Sequence, residues 1–150
     1  MTKAILCENS EGGVAITVVE ERTINTPAGA FQVTLSGELE RMAKANPENT
    51  YTVVDKAEVD AKYAASPFRG AWKTDLSTDI AKAKELVHAQ RKAKRSEQFA
   101  PLDVEATVPA LAVEAEAKRQ VIRDENAKVQ TAVDKATTEA ALITQYKKVI

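Results

Sequence analysis

Cys7 is the only thiol in this chain of 150 residues and His88 the only imidazole. Nucleophilic catalysis of the Cys/His or Ser/His/Asp kind needs an imidazole set against the nucleophile and held there by a third group. His88 lies in the stretch Glu85-Leu86-Val87-His88-Ala89-Gln90, amid lysine and alanine, and is expected as a solvated helix residue. Cys7 falls in a predicted strand, where a thiol behaves as a small hydrophobe. One thiol cannot close an intramolecular disulfide, and one thiol with one imidazole does not build a Cys/His zinc site. The carboxylate pairs Glu20-Glu21 and Glu114/Glu116 would serve glycosidase-like chemistry only across a cleft, and they read as solvated surface. Gly12-Gly13 has neither dinucleotide-loop nor Walker spacing and reads as a turn. Calcium-loop and H-E-x-x-H patterns are missing too. No catalytic residue, metal or cofactor is expected, and hydrolysis ranks last among the functions considered.

The strongest charge feature is Lys82, Lys84, Arg91, Lys92, Lys94 and Arg95, with Glu85 the sole acid between Lys82 and Arg95. A nucleic-acid surface would put such groups on one stripe to displace counterions from phosphates. On a helix, Lys84, Arg91 and Arg95 share a side while Lys82, Lys92 and Lys94 spread around it. With no aromatics interleaved, a solvated helix is favoured over a nucleic-acid partner.

The elements that would carry these residues differ between the two halves of the chain. All five glycines lie within the first 70 residues, whereas the second half is rich in Ala, Glu, Lys, Arg and Gln, which favour helix. The fold class expected is α+β: a small β-rich module with a short helix over 1–75, then a helical region over 76–150 forming a hairpin or small bundle. Lys3 to Glu8 and Val14 to Val19 read as strands joined by a turn at Asn9 to Gly13. Both faces of the second strand are largely apolar, which predicts cover on both sides. Ser36 is the expected cap of a helix over 36–46 that stops at Asn46-Pro47 and supplies part of that cover. Tyr51 to Val54 is β-branched and aromatic, hence a strand, and Asp55 with Glu58 resembles a capping box opening a helical turn.

Phe68-Arg69-Gly70-Ala71-Trp72-Lys73 holds the only tryptophan, in a chain with 5% aromatics. It reads as a strand or turn anchoring the small module, with an exposed docking patch as the alternative. From Ser77 or Asp79 the periodicity is helical to about Phe99. Pro101 is placed to open a second helix and Pro109 to bend or interrupt it. A last helix begins near Thr137-Thr138-Glu139 and buries Leu142, Ile143 and Tyr146. The stripes are narrow and alanine-rich, suited to helices lying close on each other or on a partner chain. Phe68, Arg69, Trp72, Leu86, Val87, Leu111, Leu142 and Tyr146 are the residues expected to serve packing or an interface.

Apolar residues make up 44% and charged residues 29%, with a net charge of −1, which excludes a strongly charged tail and most wholly disordered chains. A compact chain of this length buries about 68–70% of its unfolded surface. No apolar run approaches the roughly 20 residues of a membrane span, and Ala4 to Cys7 is too brief for a secretory core, so a soluble, unprocessed chain with no membrane partner is expected.

Taken in order, Gly12-Gly13-Val14-Ala15, Pro27-Ala28-Gly29, Val53-Val54-Asp55, Phe68-Arg69-Gly70-Ala71-Trp72, Leu102-Asp103-Val104-Glu105, Arg123-Asp124 and Thr137-Thr138-Glu139 resemble a loosely defined family of small phage and prophage proteins encoded near tail-fibre genes. The sequence differs from that pattern by a helix at 36–46 and by Ala64-Ala65-Ser66-Pro67 before the aromatic motif. The resemblance implies a bacteriophage virion component, associated with tail or tail fibre, or a tail assembly factor, and it supplies no catalytic residue. The function expected is therefore a non-enzymatic structural protein, present as a homo-oligomer or in several copies and bound to other virion or tail proteins. It would be located in the virion after assembly in the host cytoplasm. The alternatives are a tail-assembly chaperone absent from the mature particle and a nucleic-acid-binding regulator using the basic helix 82–95.

Overall fold

The computed structural model describes residues 2–8 and 13–150, so the turn expected at Asn9 to Gly13 lies, apart from Gly13, outside the described residues. The fold is α+β with a helical C-terminal half. In chain order the elements are β1 (Lys3–Glu8), β2 (Val14–Val19), β3 (Arg22–Thr26), β4 (Gly29–Val33), α1 (Leu35–Ala45), β5 (Tyr51–Asp55), α2 (Lys56–Ala65), α3 (Ile80–Glu105), α4 (Ala112–Lys135) and α5 (Glu139–Tyr146). The chain divides into two compact units, Met1–Asp79 and Ile80–Ile150.

In the first unit β1 is the central strand of an antiparallel sheet, with β2 and β5 on its flanks. A central strand with both faces covered reads as a continuous apolar run, and Ala4, Ile5, Leu6 and Cys7 are all buried. The strand that needs cover on both sides is thus β1 and not β2, where Ala15 and Val18 are exposed. On one face Ala4 and Leu6 meet Val14, with Ile16 and Val54 beside them, under Val59 of α2, Trp72 and Leu76. On the other, Ile5, Cys7 and Val19 are buried, and Tyr51 shares their side through its pairing with Cys7. The Tyr51 hydroxyl reaches into the end of α1, 2.9 Å from the Met42 carbonyl and 3.2 Å from that of Asn46.

Local capping differs from expectation twice. Helix α1 starts one residue early because Thr34, not Ser36, accepts the Gly37 N–H at 3.1 Å, while the Glu21 carboxylate accepts that of Leu35 at 3.2 Å. Asp55 does precede α2, yet its side chain makes no capping bond. The carboxylate instead meets Lys3 Nζ across the sheet at 2.7 Å, where opposite charges on paired strands attract.

Strands β3 and β4 form a separate two-stranded ribbon that the sequence pattern did not announce. Thr26-Pro27-Ala28-Gly29 turns it: proline presets the φ of the second position, and Gly29 sits at φ +128°, a conformation that side chains rarely adopt. The Thr26 hydroxyl donates to the Gly29 carbonyl at 2.8 Å.

The aromatic motif is a buried anchor, built as a 3-10 turn over Arg69–Ala71 rather than a strand. Phe68 is wholly buried and Trp72 is 2% exposed, which rules against the docking-patch alternative for these rings. The buried indole N–H finds Ser66 Oγ at 3.5 Å. Tyr63 meets the indole edge-on with ring centres 4.9 Å apart, Lys62 Nζ stands 5.9 Å from its centre, and Arg69 lies over the Tyr63 ring. The loop that follows closes back through the Trp72–Thr78 bridge, with Asp75 accepting both the N–H and the hydroxyl of Ser77. Leu76 holds φ 62°, a strained backbone for a branched residue, offset here by its contact with the core.

The second unit is an antiparallel hairpin of α3 and α4 with α5 alongside. Its cross-helix partners, Lys84 with Asp134, Arg91 with Asn126 and Asp103 with Arg119, run in opposite directions along the two helices. Helix α3 does not stop at Phe99: it continues through Pro101 to Glu105, and no second helix opens there. Proline inside a helix removes one bond and costs about 3 kcal/mol. Here Leu102 is buried beyond it, and Asp103 and Glu105 reach charged partners on α4, so packing holds the helix past its local weak point. The interruption falls at 106–111, around Pro109. Thr138 caps α5 by accepting the Ala141 N–H at 3.3 Å.

Trp72→Ala should destabilise the first unit by about 3–5 kcal/mol, the usual cost of truncating a buried large aromatic. Urea unfolding followed by circular dichroism measures it.

Candidate functional site

Along α4, Ala115, Arg119, Ile122, Asn126, Val129 and Val133 are buried or half-buried and recur at alternating steps of four and three, the heptad seam of paired helices. Across from them α3 buries Ala83, Val87, Arg91 and Leu102. The seam is therefore apolar at its ends and polar in its middle. Arg91, only 5% exposed, donates to Asn126 Oδ1, and its Nε has no protein partner. Burial lowers its pKa from the ordinary arginine value, and the neighbouring Arg95 adds to this while Asp134 opposes it.

His88 is not a solvated residue as expected. Its Nε2 lies 3.0 Å from Asp134 Oδ1, and its buried Nδ1 has no partner. A carboxylate that orients an imidazole is two-thirds of a triad, but the shallow cleft there is lined by Glu85, Ala89, Arg91, Lys92 and Gln130 and offers no hydroxyl or thiol to activate. Cys7, in the other unit, is buried with its Sγ 3.4 Å from the Glu8 carbonyl. Among the described residues no group of three or more His, Cys, Asp or Glu could hold a metal ion, and no helix is long and apolar enough to cross a membrane.

The basic run on α3 is partly occupied inside the fold. Lys84 donates to the Asp134 carbonyl at 2.7 Å, in the last turn of α4. Lys94 donates to the carbonyls of Lys148 and Ile150 at 3.1 and 3.0 Å, beyond the end of α5. These are cations at helix ends, where carbonyls lack partners and the helix dipole is negative. Arg95 lies over the Phe99 ring instead.

The carboxylate pairs also resolve into local bonds. Glu114 meets Lys118 at 3.0 Å, while Glu116 meets Arg119 and Arg123 on its own helix. Lys118 and Arg119 reach back to Glu105 and Asp103, so this charged cluster ties the hairpin near its turn. The Arg123 hydrogen bond holds the Glu116 carboxyl below the usual carboxylate range, with burial opposing it and Arg119 adding to it.

Two apolar surfaces remain open. At the hairpin turn Val104 is 69% exposed and Val113 84%, with Val108 and Leu111 exposed beside them. On the ribbon, Phe31 is 62% exposed and stands in register with Ile24, itself exposed; every residue of β3 is exposed and β4 is covered only at Val33. The residues expected for packing or an interface divide accordingly. Phe68, Trp72, Val87 and Leu142 are buried and Tyr146 is half-buried, whereas Arg69, Leu86 and Leu111 are exposed. Ile24, Phe31, Val104 and Val113 were not singled out from the sequence. Pro27 two residues before Gly29 is a turn signal that the sequence reading passed over, and the exposure of the apolar pair has no sequence signature.

Comparison with protein-family models, with curated proteins and with solved structures finds no match.

Replacing Lys84 or Lys94 by alanine should cost about 0.5–1.5 kcal/mol each in urea unfolding, the net value of a partly exposed hydrogen bond, whereas Lys92→Ala should stay within about 0.5 kcal/mol. Glu116 has a folded pKa depressed below its ordinary 4.5, so its stabilising effect is full above that value and lost as pH falls through the folded one. Melting temperatures measured across this acid range should therefore fall more for the wild type than for Glu116→Gln.

Proposed function

We propose that this protein is a non-enzymatic structural component of a bacteriophage particle, associated with tail or tail fibre and acting by packing against neighbouring subunits. The observation that carries the packing role is the β3–β4 ribbon. A two-stranded ribbon is marginal in water, and this one displays an apolar cross-strand pair, Ile24 and Phe31, with both side chains exposed. Such a surface is completed when a neighbouring protein lies on it. The exposed valines at the turn of α3 and α4 support the same role from the second unit. The particle assignment draws on the succession of motifs from Gly12-Gly13-Val14-Ala15 to Thr137-Thr138-Glu139.

A polynucleotide-binding role is less well supported. With Lys84 and Lys94 donating to backbone carbonyls and Arg91 buried, the basic helix does not present the continuous outward stripe that a phosphate backbone requires.

The test is mass spectrometry of purified particles from a phage carrying this gene. The chain should be present at stoichiometric abundance; its absence from finished particles would transfer the assignment to an assembly chaperone. Ile24→Asp with Phe31→Asp should cost at most about 1 kcal/mol of stability, since both side chains are exposed, yet remove the protein from particles. Normal incorporation of that variant would overturn the role given to the ribbon.

A further inference from the structure

A cleft of about 340 Å³ opens on the helical unit, within the roughly 300–1,000 Å³ typical of ligand sites. Its lining includes four cations, Arg91, Lys94, Lys128 and Lys148, against one carboxylate, Glu125. Arg91 is the unusual member. A buried guanidinium normally faces a carboxylate, because an uncompensated buried charge costs several kcal/mol. Among the described residues none lies within ion-pair distance of Arg91, whose one protein hydrogen bond goes to the neutral amide of Asn126 and whose Nε is left without a partner. Lys94 leans toward the carbonyls of Lys148 and Ile150 and brings its positive charge to the same cleft. From a buried guanidinium with no carboxylate in ion-pair contact, only Asp134 acting on it from farther off, and set among three ammonium groups, we infer that this cleft is a binding site for a single small oxyanion, a phosphate or a carboxylate.

The planar guanidinium suits such a ligand because it offers donors in a fixed fork, and the lysines add point charge around it. The site rests on the geometry of the second unit alone and stands or falls independently of the proposed packing role.

The full-length protein, ¹⁵N-labelled, is titrated with inorganic phosphate, with acetate and with sodium chloride at matched ionic strength. Phosphate or acetate, whichever form fits, should shift the Arg91 Nε–H and Asn126 side-chain amide resonances saturably and raise the melting temperature, and chloride should do neither. The arm that saturates identifies the oxyanion class. Lys128→Ala with Lys148→Ala, both exposed, should weaken that binding roughly tenfold, the loss of about one charge-assisted hydrogen bond. Arg91→Met should fold with equal or higher stability in anion-free buffer, as removal of a buried charge without a direct ion-pair partner predicts, and its melting temperature should not respond to the oxyanion. Non-saturating shifts, an equal response to chloride, or Arg91→Met that keeps the oxyanion response would overturn the inference.

Discussion

The contact between α3 and α4 sets the terms for the helical half of this molecule, and it is made of small and polar side chains. Ala83 and Ala115 bring the helices together with little buried area, and the middle of the seam is given to Arg91 and Asn126. Among the described residues of the second unit, the buried apolar side chains larger than alanine are Val87, Leu102, Val133, Leu142 and Val149. Each such side chain contributes on the order of 1.5–3 kcal/mol when fully buried, against an ordering cost of about 1–2 kcal/mol for every backbone residue. Such a pair of helices is held in register by what surrounds the seam. Lys84 and Lys94 on carbonyls at helix ends, His88 against Asp134, and the charged cluster from Asp103 to Arg123 fix the hairpin where apolar bulk does not.

The first unit solves the same shortage differently. On one face of its sheet Trp72 lies among Leu6, Val14 and Val59, and helix α2 and the segments after it return to that point through Tyr63, Ser66 and Thr78. The β3–β4 ribbon takes no part in that core. The result is one well-covered sheet, one lightly packed hairpin and two apolar surfaces, Ile24 with Phe31 and the valines around Val113, that are exposed among the described residues. On the account proposed here, neighbouring subunits cover them.

What could be read from the sequence follows the strength of its local signals. A continuous apolar run marks β1 and β-branched residues mark β2 and β5, and the switch from glycine-bearing to alanine- and charge-rich sequence marks the change from strands to helices close to Asp79. Competition between local and distant partners blurred the rest. Asp55 is shaped to cap a helix but is claimed by Lys3 across the sheet, and Pro101 is shaped to start one but is carried through by packing at Leu102. The candidate site was the least legible part. A run of lysines and arginines looks the same whether its members face solvent, bond to carbonyls or line a cleft, and only the fold of α4 and α5 around α3 separates Lys84 from Arg91. His88 likewise owes its placement to Asp134, a residue 46 positions away.

Central to this account is that the helical hairpin is weakly held by its own seam and is completed from outside. Hydrogen exchange of the Val87 and Val133 amides, both toward the apolar end of that seam away from the hairpin turn, measures this in the full-length protein at low micromolar concentration. The account predicts opening free energies below about 5 kcal/mol, the lower edge of ordinary domain stability. Values of about 10 kcal/mol or more, independent of protein concentration, would contradict it.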